Sequence, residues 1–267
     1  MMLRSRASFK GARRAEGPTA PVAGMALWLD ASDASTLYDA TTGGSLVAAD
    51  GTIARWEDRS GNGYHVTQST SGARPIRKTA IQNALDVVRF DGSDDTLWRG
   101  LEPICRDVPG ITAFSIHRWA SSPTSSRVIA GLITSTGVNR LAHYGGNSSG
   151  KWTSGGRRRD FNSLQVVNSA ASIGTTDSSL LTSRLDYQGT DLNQWIDGTL
   201  DGASTSFQSA GNSSDTDVRI GIGANRSGEG SSLFFHGDIS EVVIYPWALS
   251  TADRESVQSY LATKWGT

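Results

Sequence analysis

The segment Phe235-His236-Gly237-Asp238-Ile239-Ser240-Glu241-Val242-Val243-Ile244-Tyr245, continuing to Ala248-Leu249-Ser250, decides the fold. Its β-branched run, Glu241–Tyr245, reads as a strand. The chain's one convincing helix follows. Ser250 stands at the N-cap, and Asp253 sits where a capping box places its acid. Val257, Tyr260, Leu261 and Lys264 recur at spacings of three and four, and Gly266 ends the run. This spacing predicts that Val257 and Leu261 pack on a sheet and that Trp265 plugs the end of the fold.

Upstream, short apolar runs are separated by turn residues. Strands are predicted at Ala26–Leu29, Ile53–Trp56, Val87–Phe90, Ile111–Arg118 and Val128–Ile133. Further ones are predicted at Leu164–Val167, Leu180–Leu185, Leu192–Ile196 and Val218–Ile222. In Ile111–Arg118, Phe114, Ile116 and Arg118 alternate with Ser115 and His117, the pattern of a half-buried strand. Asp197-Gly198 is a hairpin signal, because both central positions must reach positive φ. No repeat of fixed period occurs.

Composition agrees. The chain has 267 residues, 30 of them Gly, with 36 Ser, 24 Thr and eight Trp. Such a chain is no helical bundle; it reads as many short strands and turns, long enough for one all-β domain. The lone Cys105 excludes an intramolecular disulfide and a Cys-based zinc site. A net charge of −1 gives no case for nucleic-acid binding. No apolar run reaches the ~18–20 residues that span a bilayer, and no secretory signal is recognised. No membrane partner is therefore expected.

The first residues differ from the rest. Arg4, Arg6, Lys10, Arg13 and Arg14 precede the first acid, Glu16, and without them the chain would carry a net charge of −6. Gly17-Pro18-Thr19-Ala20-Pro21 reads as a linker. Residues 1–24 are accordingly read as a basic extended arm and linker, and 25–267 as the domain. The arm reads as a solvated tail, as a tether that orders on an acidic partner, or as a transit peptide.

At this point a resemblance becomes specific. Leu27-Trp28-Leu29-Asp30-Ala31-Ser32-Asp33 resembles the opening strand of laminin-G-like jelly-roll domains of the concanavalin A-like lectin/glucanase superfamily. Trp56-Glu57-Asp58-Arg59-Ser60-Gly61-Asn62-Gly63 and Val88-Arg89-Phe90-Asp91-Gly92-Ser93-Asp94-Asp95 resemble its next signatures. Gln194-Trp195-Ile196-Asp197-Gly198 is similar to its Asp-Gly hairpin, and the Phe235–Tyr245 segment to its closing strand. The helix ending Tyr260–Gly266 fits the bacterial and phage branch. The resemblance implies an all-β jelly-roll sandwich with one C-terminal helix and an extended N-terminal arm. The same residues have local readings. Asp58, Ser60 and Asn62 suit an Asx-type turn, and Trp28, Trp56 and Trp195 suit core packing.

The superfamily includes glycoside hydrolases, which need two carboxylates flanking the sugar bond. The E-x-D-x-E run of its glucanase branch is absent. Asp238 and Glu241, three apart, are expected on opposite strand faces. No nucleophile elbow or phosphate loop occurs. His65, His117, His143 and His236 are scattered without metal spacing. No catalytic residue is therefore assigned, and no cofactor is expected. Calcium is the one metal to weigh: Asp91, Asp94 and Asp95 form either an acidic turn or a calcium site.

For glycan or protein contact, the polar stretch from His143 to Asp160 is read as a long loop. Trp152 is expected there as an exposed platform, flanked by Tyr144, Arg157, Arg158 and Arg159. A solvated basic loop is the plain alternative. The function expected is a structural protein of a tailed-phage virion: a capsid decoration, head-fibre or tail-associated component. It would dock on other virion proteins through the basic arm, touch host-surface glycans with its loops, and be open to homo-oligomerisation. A free carbohydrate-binding lectin is the alternative, with a glycan hydrolase behind it.

Overall fold

The computed structural model describes residues 22–204, 207, 209–227 and 230–267. Its strands begin with β1 (Leu27–Asp30), β2 (Leu37–Tyr38), β3 (Arg55–Trp56), β4 (Val66–Thr67), β5 (Ile76–Gln82) and β6 (Leu85–Asp91). Next come β7 (Leu97–Glu102), β8 (Gly110–Trp119), β9 (Arg127–Ile133), β10 (Asn139–Gly146) and β11 (Lys151–Gly156). They are followed by β12 (Gln165–Ser172), β13 (Ser179–Asp186), β14 (Asp191–Ile196), β15 (Thr199–Ser204) and β16 (Val218–Ile222). The chain closes with β17 (Asn225–Ser227), β18 (Gly230–Ser232), β19 (His236–Tyr245) and the helix α1 (Thr251–Trp265).

Two antiparallel sheets make a jelly-roll sandwich. The first runs β15-β14-β13-β8-β19-β6-β5, with β1 beside the second half of β19. The second runs β12-β11-β10-β9-β16-β7-β4-β3-β2, and β17 and β18 form a short ribbon of their own. Between the sheets lie Leu29, Trp56, Phe90, Ile129, Leu141, Trp152, Ile220 and Val242, among others. The first sheet's outer face carries a second layer, in which Phe114, Ile116, Val243 and Tyr245 pack against Val257, Leu261 and Trp265 of α1. Burying each of these large apolar side chains contributes about 1.5–3 kcal/mol.

The helix forms as its spacing predicts. Ser250 accepts the Asp253 N–H at 3.2 Å and donates its hydroxyl to the Asp253 carboxylate at 2.8 Å. Gly266 ends the helix at φ 71°, a left-handed conformation suited to glycine. Trp265 does not plug the sandwich end; it lies in the outer layer under the helix.

The strand read at Ile111–Arg118 is not half-buried. It is the central β8, buried on both faces except at Arg118. Phe114 and Ile116 face the helix, while Ser115 and His117 point between the sheets. The alternation is present, but the helix covers its apolar face outside while its polar face turns between the sheets. Trp195 is not in the core; it is half-buried under the guanidinium of Arg254, 4.3 Å from the ring centroid.

The turn read at Asp58 ties the opening of the domain together. Its carboxylate accepts the N–H groups of Trp28, Ser60 and Tyr64 at 2.9–3.0 Å. The Asp197-Gly198 turn has φ of 49° and 79°, and closes the β14–β15 hairpin as expected.

Candidate functional site

Asp238 and Glu241 share one face of β19. The register of β19 against β8 shifts between Ile239 and Glu241, so Ser240 forms a bulge. Strict alternation therefore fails there, and both acids point to the outer face of the first sheet. The helix covers Glu241. Its carboxylate accepts Trp28 Nε1 at 2.7 Å, Trp265 Nε1 at 2.7 Å and Lys264 Nζ at 2.6 Å. Lys264 also pairs with Asp30 at 2.8 Å. Burial, which disfavours the anion, raises the Glu241 pKa despite Lys264.

Asp238 lies beyond the helix, where the face is open. It pairs laterally with Arg89 of β6 and Arg118 of β8. Arg89 donates Nε to Asp238 Oδ1 at 2.6 Å and Nη2 to Oδ2 at 3.0 Å. Arg118 donates Nη2 to Oδ2 at 2.8 Å. The Asp238 side chain is 4% exposed, while those of Arg89 and Arg118 are 40% and 34% exposed. One buried carboxylate thus orients two half-exposed guanidiniums. That hydrogen bonding holds the Arg89 pKa above its ordinary value. Gly237 makes this packing possible, since a Cβ there would stand 2.1 Å from the Arg118 carbonyl oxygen.

This trio lines a cleft of about 560 Å³ at the end of the sheet where β6 and β8 finish and β19 begins. His236, Asp91, Asp95 and Thr175 complete its polar lining. The 91–95 turn is closed by its own carboxylates. Asp91 Oδ1 accepts the N–H groups of Ser93, Asp94 and Asp95 at 2.8–3.4 Å, and Asp95 Oδ2 accepts the Asp91 N–H at 2.9 Å. Burial works against the Asp91 anion, but these N–H donors outweigh it and leave its pKa lowered. Burial, aided by the Asp91 charge, pushes Asp95 up to about 6. The ligand atoms of Asp91, Asp94 and Asp95 lie within 4.8 Å of one another. The bonds of Asp91 and Asp95 account for those two acids as turn-formers.

The stretch read as a contact loop is mostly strand. Residues 141–144 and 153–156 pair as the β10–β11 hairpin. Trp152 is not an exposed platform: it is 2% exposed, between the sheets, with its ring 5.1 Å from that of His117. Its Gly- and Ser-rich sequence neighbours gave no sign of the apolar strands that fold over it. Arg158 is buried as well, donating to Asn212 O at 2.8 Å and to Ser209 Oγ. Arg157 donates to Asn162 O at 2.9 Å. Only Arg159 of the three is exposed, and beside it Phe161 is 83% exposed. Phe161, which the sequence reading passed over, is the aromatic that this loop presents. The side chain of Tyr144 and the arm residues Arg4, Arg6, Lys10, Arg13 and Arg14 lie outside the described residues.

Two histidines far apart in sequence meet between the sheets. Ser115 Oγ lies 3.1 Å from His117 Nδ1 and 2.8 Å from His143 Nε2, and His143 Nδ1 lies 2.8 Å from Ser183 Oγ. Ser183 continues through Ser154 to Gln194. Burial lowers both histidines to about 3, so both are neutral.

No known family model matches the sequence, and no curated protein does. Solved structures share its fold. Domain 4 of AbnA, an extracellular GH43 arabinanase from Geobacillus stearothermophilus solved with arabinotriose, superposes with a TM-score of 0.53 at 11% identity. The match covers 88% of this chain and 98% of that domain. Trypanosoma rangeli sialidase, solved with the inhibitor DANA, gives 0.54 at 11% identity, over 91% of this chain and 34% of the sialidase. This chain thus corresponds to about a third of that enzyme. At such identities the likeness is one of fold. No helix among the described residues is long and apolar enough to cross a membrane.

Proposed function

We propose that this chain is a non-catalytic carbohydrate-binding jelly-roll domain whose ligand enters the cleft at Arg89, Asp238 and Arg118. The observation that carries the reading is the Asp238 clamp: a buried carboxylate presents two oriented guanidiniums to a concave, polar space. Sugar hydroxyls need donors and acceptors side by side. Arg89 and Arg118 supply planar donors, while Asp91, Asp95 and His236 supply acceptors. The arabinotriose held by AbnA domain 4 supports the sandwich as a sugar-binding scaffold. The absence of catalysis is supported by how the acids are used. Glu241 is sealed beneath the helix, both Asp238 oxygens lie on arginines, and Asp91 Oδ1 holds the 91–95 turn.

A glycan array probed with the wild type and with Arg118→Ala tests this. Specific glycan signals that the variant loses are expected. A blank array with folded wild-type protein overturns the reading.

A structural role on a tailed-phage particle is the second reading. The charge asymmetry favours it: five basic residues precede the first acid, ahead of an acidic remainder. In that setting the arm docks the domain on other virion proteins, and the cleft faces host-surface glycans. Deletion of residues 1–24 is then expected to abolish incorporation into particles, and unchanged incorporation overturns it.

A further inference from the structure

We propose that the ligand is a neutral oligosaccharide chain several units long, which crosses Arg118 and occupies a second cleft beyond it. This rests on the carbohydrate-binding reading and specifies its ligand.

Arg118 lines two cavities. Besides the cleft at Asp238, it borders another of about 560 Å³ on the same outer face. Consecutive residues of one loop wall both, Thr175 the first and Thr176 the second. The second cleft is bounded by the β5–β6 hairpin, the end of α1 and the β14–β15 turn, at Ile81, Asn83, Trp265 and Asp197. Its walls are fixed. Asn83 donates to Lys264 O at 2.8 Å, Gln82 donates to Trp265 O at 3.1 Å, and Asp197 accepts the Leu180 N–H at 2.7 Å. Ile76 in the first cleft and the exposed Ile81 in the second both lie on β5. They give each cleft an apolar surface for the C–H face of a sugar ring. Two clefts meeting at one half-exposed arginine suit a chain that continues past it, rather than a single terminal sugar.

The charges select the kind of chain. Against Arg89 and Arg118 stand Asp91, Asp95 and Asp238 in the first cleft and Asp177 and Asp197 in the second. Asp238 already neutralises part of both guanidiniums. A chain bearing a carboxylate on every unit would meet like charge on both sides of Arg118. Neutral hydroxyls instead find acceptors throughout and donors at the centre.

The test is calorimetric titration of the full chain with two kinds of ladder. The neutral ladders are arabino-, xylo-, cello- and malto-oligosaccharides, from monosaccharide to hexasaccharide. The acidic ladder is the oligogalacturonides over the same lengths. Affinity for one neutral ladder is expected to rise by about tenfold or more with length before levelling off. Thr176→Trp, an exposed substitution that fills the second cleft, should remove this gain and leave the shortest ligand's affinity unchanged. Length-independent affinity, tighter binding of the acidic ladder, or a length gain that survives Thr176→Trp overturns this inference while leaving the carbohydrate-binding reading standing. Binding to neither kind of ladder, with a blank glycan array, overturns both.

Discussion

Glu241 accepts the indole N–H of Trp265 at 2.7 Å, joining the closing strand to the last turn of the helix that follows it. Trp28 of the opening strand donates to the other oxygen of the same carboxylate at 2.7 Å. Opening strand, closing strand and helix thus converge on one buried acid. Glu241→Ala is expected to destabilise the domain by about 2–5 kcal/mol, because two buried indole N–H groups lose their acceptor and Lys264 keeps only Asp30. Urea unfolding measures this, and a loss below about 1 kcal/mol contradicts it.

Trp152, expected as an exposed platform, is buried between the sheets, and Phe161 is the exposed aromatic of this region. Trp152→Ala should cost about 3–5 kcal/mol, because it opens a cavity between the sheets. Phe161→Ser should change stability by no more than about 0.5 kcal/mol. Thermal unfolding of the two variants side by side decides the matter, and comparable losses would refute the assignment.

The two buried histidines make the fold sensitive to acid. In the fold they titrate near 3, against an ordinary value of 6.5, so the folded state resists protonation. Their contribution is complete above about pH 6.5 and is lost progressively as pH falls towards 3. With both present, unfolding free energy should fall by about 2.7 kcal/mol per pH unit across pH 6 to 4 from this source. His117→Phe should halve that slope. A slope unaltered by the substitution argues against neutral burial of His117.

Asp95 acts in the opposite sense. Its pKa is raised from 3.8 to about 6, so its ionisation costs stability, fully above pH 6 and not at all below 3.8. Asp95→Asn keeps an oxygen for the Asp91 N–H and removes the buried charge. It should stabilise the domain at pH 7.5 by about 1–3 kcal/mol, with the gain vanishing towards pH 4. A destabilised variant at pH 7.5 would show that the charge is used, not merely tolerated.

The frame of the sandwich was legible because its signals are local. The Ser250 cap, the Gly266 stop, the Asp58 turn and the Asp197-Gly198 hairpin each lie within a few residues of their partners. The cleft was not legible, although its residues stood in the quoted motifs. Arg89 and Asp238 are 149 residues apart, and each reads singly as the polar position of an alternating strand. Only the β6-β19-β8 order makes them neighbours. The bulge at Ser240 reversed the facing of Asp238 relative to Glu241, and nothing in the residue types announces it. The β10–β11 hairpin was hidden because His143 and Ser154 turn inward. Polar residues facing the core defeat a pattern that equates polar with exposed.

The most direct test of the central claim is where a sugar binds. A heteronuclear NMR titration with the glycan that gives the strongest array signal would locate it. Shift changes are predicted at Arg89–Asp95, Arg118–Ala120 and His236–Asp238, with residues 157–162 unaffected. Changes confined to residues 157–162, around Phe161, would contradict the account and move the site to the other loop.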